Sequence, residues 1–176
     1  MTASVPAPLK SSAAREAVDS LRGYSYQILR SIEAWIDLQE GAVLVLEGAE
    51  DLDVIEETGA ATVEQIKDTS GSGNVTLRSG SVLEAIGNFW DHLGRNHGVA
   101  IQFRFLTTSG IGREKNQPFG FDTPGLEAWQ RIQLAPTDPK SLEMAAGIKA
   151  FLMSNETLSE PFRLWLTNAS TEDFIT

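Results

Sequence analysis

The order of helical and strand-like patterns up to Thr107 constrains the fold most strongly. Apolar residues recur every three or four positions from Tyr24 to Leu38, which predicts an amphipathic helix. Three short segments rich in Val, Leu and Ile follow, and after them come a second helical pattern and a final alternating segment. The sequence therefore predicts an α/β fold in the order helix, three strands, helix, strand.

The first helix is expected to bury one apolar stripe and to leave Arg30 and Asp37 in solvent. A helical lead begins at about Ala13, Gly23 marks a weakness or kink, and Gly41 ends the helix. The predicted stripe consists of Tyr24, Ile28, Ile32, Trp35 and Ile36.

The strands that follow are short. Residues Ala42–Glu47 are predicted to form a buried strand, and two antiparallel strands are expected at about 50–56 and 61–67. A turn from Glu57 to Ala60, which contains Gly59, joins these two strands into a hairpin. The acidic, amide and Lys side chains of the hairpin are expected to face outward.

The rest of the chain alternates loops with helices. The loop 68–74 is small and polar and is expected to be mobile, and a Gly-rich loop spans 109–122. Trp129 and Trp165 lie on C-terminal helices that are expected to offer a dimer surface. The remaining predicted elements are a helix over Val82–Leu93, a strand over Val99–Thr107, and helices over Gly125–Leu134, Ser141–Met153 and Pro161–Leu166.

A chain of 176 residues is long enough for one domain with its own core. Residues 1–20 are expected to be a flexible lead and the start of the first helix. Residues 21–176 form the predicted domain, with a core over about 21–115 and a helical part over 124–176. The chain has no long apolar run, no signal-like apolar segment and no cysteine, so we expect a cytoplasmic protein without disulfides or zinc-thiolate sites.

The charge distribution carries two opposing indications. A formal net charge of -10 weighs against nucleic-acid binding, which usually shows as an excess of Lys and Arg. The acids, however, are concentrated in a segment that has no Lys or Arg, and carboxylates are ligands that divalent cations prefer. These acids are Glu47, Glu50, Asp51, Asp53, Glu56, Glu57 and Glu64.

The hairpin brings chemically useful side chains together. Residues two apart in a strand share a face, so Gln65 and Lys67 are expected to project together. A turn centred near Gly59 would place Asp51 across from Lys67 and Asp53 across from Gln65, and of the two acids we favour Asp51.

This set of side chains suits phosphodiester hydrolysis. A carboxylate and an amide oxygen can hold Mg²⁺, the Ile66 carbonyl can complete the metal site, and Lys67 can orient the nucleophile. A solvated hairpin face without function is the alternative interpretation. His92 and His97 have no partner motif and are expected to take surface or capping roles, and Glu33 is expected to be solvated.

Three segments of the chain resemble a known family. They are Gly23-Tyr24-Ser25-Tyr26-Gln27, Leu46-Glu47 with Glu50-Asp51-Leu52-Asp53, and Glu64-Gln65-Ile66-Lys67. This pattern, over roughly residues 20–115, is similar to the DNA endonuclease domain of the effectors associated with CD-NTases in CBASS immunity. That domain is a branch of the PD-(D/E)XK restriction-endonuclease-like superfamily, whose core has the element order predicted above.

The resemblance implies roles for individual residues. Asp51 would be the acid of the first motif element, Gln65 would replace the acid of the second, and Lys67 would be its lysine. Gln27 would support the site where related nucleases have a carboxylate on the first helix. Glu47, Glu50 or Asp53 would compensate for the missing charge at position 65.

The resemblance also implies an activity and partners. It implies Mg²⁺-dependent cleavage of double-stranded DNA, with Mn²⁺ able to substitute, by an antiphage defence protein of bacteria. A C-terminal sensor outside this chain would drive homo-oligomerisation and so activate the nuclease. Independently of the resemblance, the residues themselves make Arg78, Arg104, Arg113 and Lys115 candidates for phosphate contacts, and scattered solvated charges are the alternative interpretation.

Two other functions stay open at this point. The first is a restriction-endonuclease-like fold kept as a binding or oligomerisation module without catalysis, which the net charge favours. The second is a nuclease for RNA or single strands, because the metal chemistry would be the same.

Overall fold

The computed structural model of this protein describes residues 13–69 and 73–175. Within these ranges the chain forms four strands and six helices. The strands are β1 (Val43–Leu46), β2 (Leu52–Ile55), β3 (Ala61–Lys67) and β4 (Ile101–Thr107). The helices are α1 (Ala13–Ile36), α2 (Gly80–Arg95), α3 (Gly125–Leu134), α4 (Pro139–Met153), α5 (Glu160–Asn168) and α6 (Thr171–Ile175).

The four strands form one mixed sheet in the order β1-β2-β3-β4. The first three strands are an antiparallel meander, and β4 lies parallel to β3 after the crossover through α2. The predicted α/β class and the predicted element order are confirmed. The predicted kink at Gly23 is not seen as a break, since α1 runs through this residue. The predicted flexible lead falls largely on residues 1–12, and the predicted mobile loop on 70–72, which lie outside the described residues.

The hairpin register differs from the predicted one. Asp53 pairs with Val63, and Leu52 pairs with Glu64, so the pairing is shifted by two residues from the expected one. The physical reason is the turn, which is centred on Thr58 and not on Gly59. Because the shift is an even number, residues that were expected to share one side of the sheet still do so, and Asp51 precedes β2 at the level of Gln65.

Two apolar cores lie on the two faces of the sheet. The smaller one, between α1 and the sheet, contains Ala34, Leu52 and Ile66. The larger one joins α2 to the C-terminal helices, and its fully buried members include Leu77, Ile148, Leu152 and Leu166.

The aromatic residues of the C-terminal helices belong to the larger core. Trp90 lies 4.9 Å from Phe162 and 4.9 Å from Trp165 between ring centroids. Trp129 also packs against this core. The indole rings of Trp129 and Trp165 are therefore partly buried in the protein's own core. The dimer surface expected on these helices stays a prediction.

The predicted buried stripe of α1 is wrong. Its apolar residues are exposed, with relative exposures between 44% and 74%. Ala34 is the one residue of the helix that is buried among those whose side chains are described. We call the exposed set the apolar face of α1, and its members are Val18, Leu21, Tyr24, Ile28, Leu29, Ile32, Trp35 and Ile36.

A buried charge explains why α1 turns its polar side to the sheet. Glu64 on β3 is 2% exposed, and Arg30, which was predicted to be solvated, donates to both of its carboxylate oxygens at 2.9 Å. A buried carboxylate without a cation is strongly destabilising, so this pair fixes the helix rotation. The predicted outward direction of the hairpin's polar groups is wrong for the same region, since Asp53, Glu64 and Gln65 are all buried.

Candidate active site

Asp51 is held at the edge of β3, just before the start of β2. Its Oδ2 accepts a hydrogen bond from the backbone N–H of Ile66 at 2.6 Å, and its Oδ1 accepts one from Gln27 Nε2 at 2.8 Å. Gln27 reaches this carboxylate from α1. Each carboxylate oxygen has two lone pairs, so both oxygens retain the capacity to accept or coordinate a further group. Two predicted site residues, Gln27 and Asp51, are therefore in direct contact.

Gln65 presents an oxygen that has no hydrogen-bond partner. The residue is 4% exposed, and its Oε1 is buried without a donor among the described residues. A buried carbonyl oxygen of this kind normally requires a hydrogen bond, and its absence costs about 1–3 kcal/mol. A cation or a water molecule at this position would satisfy the oxygen.

The backbone of Ile66 completes the predicted set. In a strand, the N–H and C=O of one residue point to the same edge. The Ile66 N–H donates a hydrogen bond to Asp51. The carbonyl of the next residue, Lys67, points the opposite way and accepts a hydrogen bond from the backbone N–H of Thr108, on the β4 side. The Ile66 carbonyl is therefore oriented to the edge where Asp51 lies, as a ligand to a metal there would require.

Lys67 shares the α2-facing side of β3 with Gln65, as the alternation of a strand requires. It is half-buried and forms none of the ion pairs found between residues of the described ranges. Arg104 lies on the other side of the sheet, beside Glu64. Its Nη1 donates a hydrogen bond to Glu64 Oε1 at 2.7 Å. Lys67 and Arg104 therefore lie on opposite sides of the sheet.

The loop between β1 and β2 is shaped by Asp53. Its carboxylate accepts from the backbone N–H groups of Ala49 at 2.6 Å and Glu50 at 3.4 Å. Gly48 approaches so closely that a Cβ there would overlap Asp53 Oδ2, and Glu47 has a left-handed φ of 53°. Asp53 therefore has a loop-building role, whereas Asp51 is the acid that extends to β3.

Sequence reasoning missed a pair beside Asp51. His92 of α2 was predicted to have a surface or capping role, but it is buried, and its Nε2 lies 3.0 Å from Glu50 Oε1. The pair links the loop before Asp51 to the second helix. The two residues are 42 positions apart, and no local pattern signals the contact. His97 is exposed, as is Glu33, in agreement with their predicted roles.

A cluster of hydroxyl groups lies at the carboxyl ends of β3 and β4, just beyond Lys67. Thr69 Oγ1 is 2.5 Å from Thr107 Oγ1 and 2.6 Å from Ser109 Oγ, and the Thr69 N–H donates to Thr108 Oγ1 at 3.0 Å. These bonds join the two parallel strand ends. Ligands of open α/β sheets bind outside the carboxyl ends of the strands, which is where Lys67 and this cluster lie.

The remaining predicted phosphate contacts are dispersed. Arg78 and Lys115 are exposed, and Arg113 donates to the Asp122 carboxylate at 2.6 Å. Among the residues that the structure describes, no contact gathers these cations around Asp51.

Arg30, Glu64 and Arg104 form a separate polar group on the α1 side of the sheet. The side-chain hydrogen bond to Glu64 raises the pKa of Arg30 above its ordinary value. The three residues line an open groove of about 560 Å³, which does not include Asp51, Gln65 or Lys67. Their ion pairs account for this group structurally.

Within the described residues, no three His, Cys, Asp or Glu side chains form a group that could hold a metal ion, so a metal site here would depend on amide and backbone oxygens beside Asp51. No helix in the described part of the chain is long and apolar enough to cross a membrane.

No protein-family model, curated protein or solved structure that was compared with this chain matches it.

Proposed function

We propose that this protein is a Mg²⁺-dependent endonuclease that hydrolyses phosphodiester bonds of double-stranded DNA. The observation that carries the proposal is the position of Asp51, which is bonded to the Ile66 N–H and to Gln27. It precedes β2 at the level of Gln65, whose Oε1 has no hydrogen-bond partner among the described residues. The type of reaction, phosphodiester hydrolysis, is inferred from the resemblance of the motif to that of the DNA endonucleases. The bonds that fix the Asp51 carboxylate to Gln27 and to the Ile66 N–H support the proposal.

The donor set fits a hard divalent cation. The carboxylate of Asp51, the Oε1 of Gln65 and the backbone carbonyl of Ile66 are all oxygen ligands, which Mg²⁺ prefers. Bound there, Mg²⁺ would acidify a coordinated water and offset charge on the phosphate. Gln27 would hold Asp51 in place through Oδ1, and Lys67 would orient the attacking water and bind a phosphate oxygen.

The acidic chain suits a nuclease that is active only when it is assembled. A monomer with a net charge of -10 binds a polyanion poorly, and several copies on one duplex would multiply weak contacts. We propose that a C-terminal sensor outside this chain controls this assembly in an antiphage response. Equal activity of the isolated chain and a coiled-coil-fused oligomer at all concentrations would contradict this part of the proposal.

The experiment that tests the activity is digestion of supercoiled plasmid by the full 176-residue chain. Cleavage is expected with Mg²⁺ or Mn²⁺ and is expected to stop with EDTA. Unlabelled duplex DNA should compete, whereas single-stranded DNA and RNA should compete weakly. Preferential cleavage of RNA or single strands would assign the same metal site to the other nuclease class.

A catalytically silent binding module is the second candidate function. Two observations favour it: the net charge of -10, and the lack of a group of three metal-binding side chains within residues 13–69 and 73–175. This candidate predicts that DNA is neither cut nor bound more tightly in Mg²⁺. An inert wild type, even when it is forced to oligomerise, would favour it.

Replacing Gln65 with Glu is expected to strengthen the metal site, because it adds one charge with almost no change in shape. The Mg²⁺ concentration for half-maximal cleavage should fall by about tenfold, since ligand charge tunes the affinity of oxygen sites for divalent cations. Mg²⁺ should also raise the melting temperature of Gln65→Glu more than that of the wild type. The exposed Gln102→Glu is the control, and equal responses of the two variants would contradict the metal site.

A further inference from the structure

The apolar face of α1 is a continuous surface that no part of the described chain covers. A helix advances by about 100° per residue, so these eight positions fall within an arc of roughly 140°. Gln27, Arg30 and Ala34, which meet the sheet and Asp51, lie on the opposite side of the helix. The helix is therefore amphipathic with its apolar side directed away from the protein's own core.

The chemistry of this face selects the kind of partner. Between Val18 and Ile36 no position within the arc carries a charged residue. Among the described side chains Arg22 is the one cation at its rim, and it pairs with Asp68, whereas a helix that binds anionic lipid carries several Lys and Arg there. The chain's net charge of -10 also opposes anionic surfaces and nucleic acid. The face therefore fits an apolar protein surface.

We propose that the partner is a second copy of this chain, bound through α1 in an antiparallel pair. At the exposures given above, the eight side chains present on the order of 800 Å², which matches the ~800 Å² per partner of a standard interface. A two-fold axis at Ile28 makes the face complementary to itself. It pairs Ile28 with its own copy, Leu21 with the partner's Trp35, and Tyr24 with the partner's Ile32.

The charges at the rim of the face set the orientation. Arg22 lies towards one end and Glu33 towards the other, on the same flank of the helix. Antiparallel packing brings Arg22 of each copy near Glu33 of the partner subunit, whereas parallel packing brings like charges to the same level. Arg22 also pairs with Asp68, and Glu33 with Arg30, so both charges are held at the rim.

This interface is independent of the proposed nuclease activity. Gln27 contacts Asp51 from the side of α1 that faces away from the partner, so the pair leaves the candidate active site uncovered. Dimerisation is measured by mass, and its failure would leave the nuclease proposal standing. Conversely, an inactive protein could still be a dimer.

The experiment is sedimentation velocity of the 176-residue chain over a range from about 1 to 500 μM. The wild type is expected to shift from monomer to dimer, and Ile28→Glu should raise the dissociation constant by at least tenfold. Leu134→Glu, an equally apolar and 87% exposed position on α3, is the matched control and should dimerise as the wild type does. A wild type that stays monomeric throughout, or a dimer that Ile28→Glu does not weaken, would overturn the proposal.

A second measurement does not depend on that variant. The chain has no cysteine, so a single Cys reports one contact. Under mild oxidation Ile28→Cys should form a disulfide-linked dimer, because the two-fold axis places position 28 against itself within disulfide reach. Leu164→Cys, on an exposed position of α5, should remain monomeric. Equal crosslinking of the two variants would contradict a specific interface through α1.

Discussion

Plasmid cleavage by Asp51→Asn is expected to be at least about 100-fold slower than cleavage by the wild type. The substitution removes the one carboxylate of the proposed donor set, and the stabilisation that a bound metal supplies is several kcal/mol, at about 1.4 kcal/mol per tenfold in rate. The fold should survive, because the Asn carbonyl can accept from the Ile66 N–H. Gln27 can turn its amide so that its oxygen faces the new NH₂ group.

The control for this variant is Asp91→Asn on α2, an exposed acid that should leave the rate unchanged. Rates are measured as conversion of supercoiled to nicked or linear plasmid at saturating Mg²⁺, and circular dichroism verifies the fold of each variant. An Asp51→Asn protein that cuts at the wild-type rate would remove Asp51 from the chemistry. Asp53→Asn is not a test of the chemistry, because Asp53 holds the loop between β1 and β2. A lower cleavage rate of this variant would reflect a disturbed fold of that loop.

Replacement of Glu64 with Ala is expected to cause the largest loss of stability that the structure predicts. Glu64 is 2% exposed and pairs with Arg30 through two hydrogen bonds. The variant leaves Arg30, whose side chain is 18% exposed, with only its 3.3 Å pair to Glu33 among the described residues, so the cost is expected at the low end for a broken buried pair, about 3 kcal/mol. In a domain of this size the melting temperature should fall by roughly 10 °C. Urea unfolding followed by circular dichroism measures the free energy directly.

Arg104→Ala is the matched control, because this arginine contacts the same carboxylate but is 47% exposed. Its loss should cost no more than about 1 kcal/mol. A triple variant with Met at 30 and 104 and Leu at 64 should regain much of the lost stability, since no charge is left unpaired. Glu64→Ala with wild-type stability would contradict the explanation given for the rotation of α1.

The fold class could be predicted because it depends on local periodicity. Helical spacing, short β-branched segments and turn residues gave the element order through β4, and the strand alternation kept Gln65 and Lys67 on one face. Periodicity shows which residues of a helix share a face, but it does not show which face meets the sheet. For α1 that choice depends on Glu64 and Arg30, which are 34 positions apart, and no local signal connects them.

The candidate site could be predicted in part for a similar reason. The motif spacing identified Gln27, Asp51 and Gln65, and the structure brings the first two into contact. The separate roles of Asp51 and Asp53 depend on hydrogen bonds to backbone N–H groups, which a sequence pattern does not contain. The burial of His92 against Glu50 is likewise a tertiary contact, and the two-residue register shift follows from turn geometry.

The most direct test of the nuclease proposal is plasmid digestion at high protein concentration by the wild type and by Lys67→Ala, each with Mg²⁺ or with EDTA. Lys140→Ala, an exposed lysine at the start of α4, is the control. The proposal predicts cleavage by the wild type and by Lys140→Ala in Mg²⁺, and none in EDTA or by Lys67→Ala. Cleavage that persists in EDTA or in Lys67→Ala, or a wild type that stays inert when it is forced to oligomerise, would contradict it.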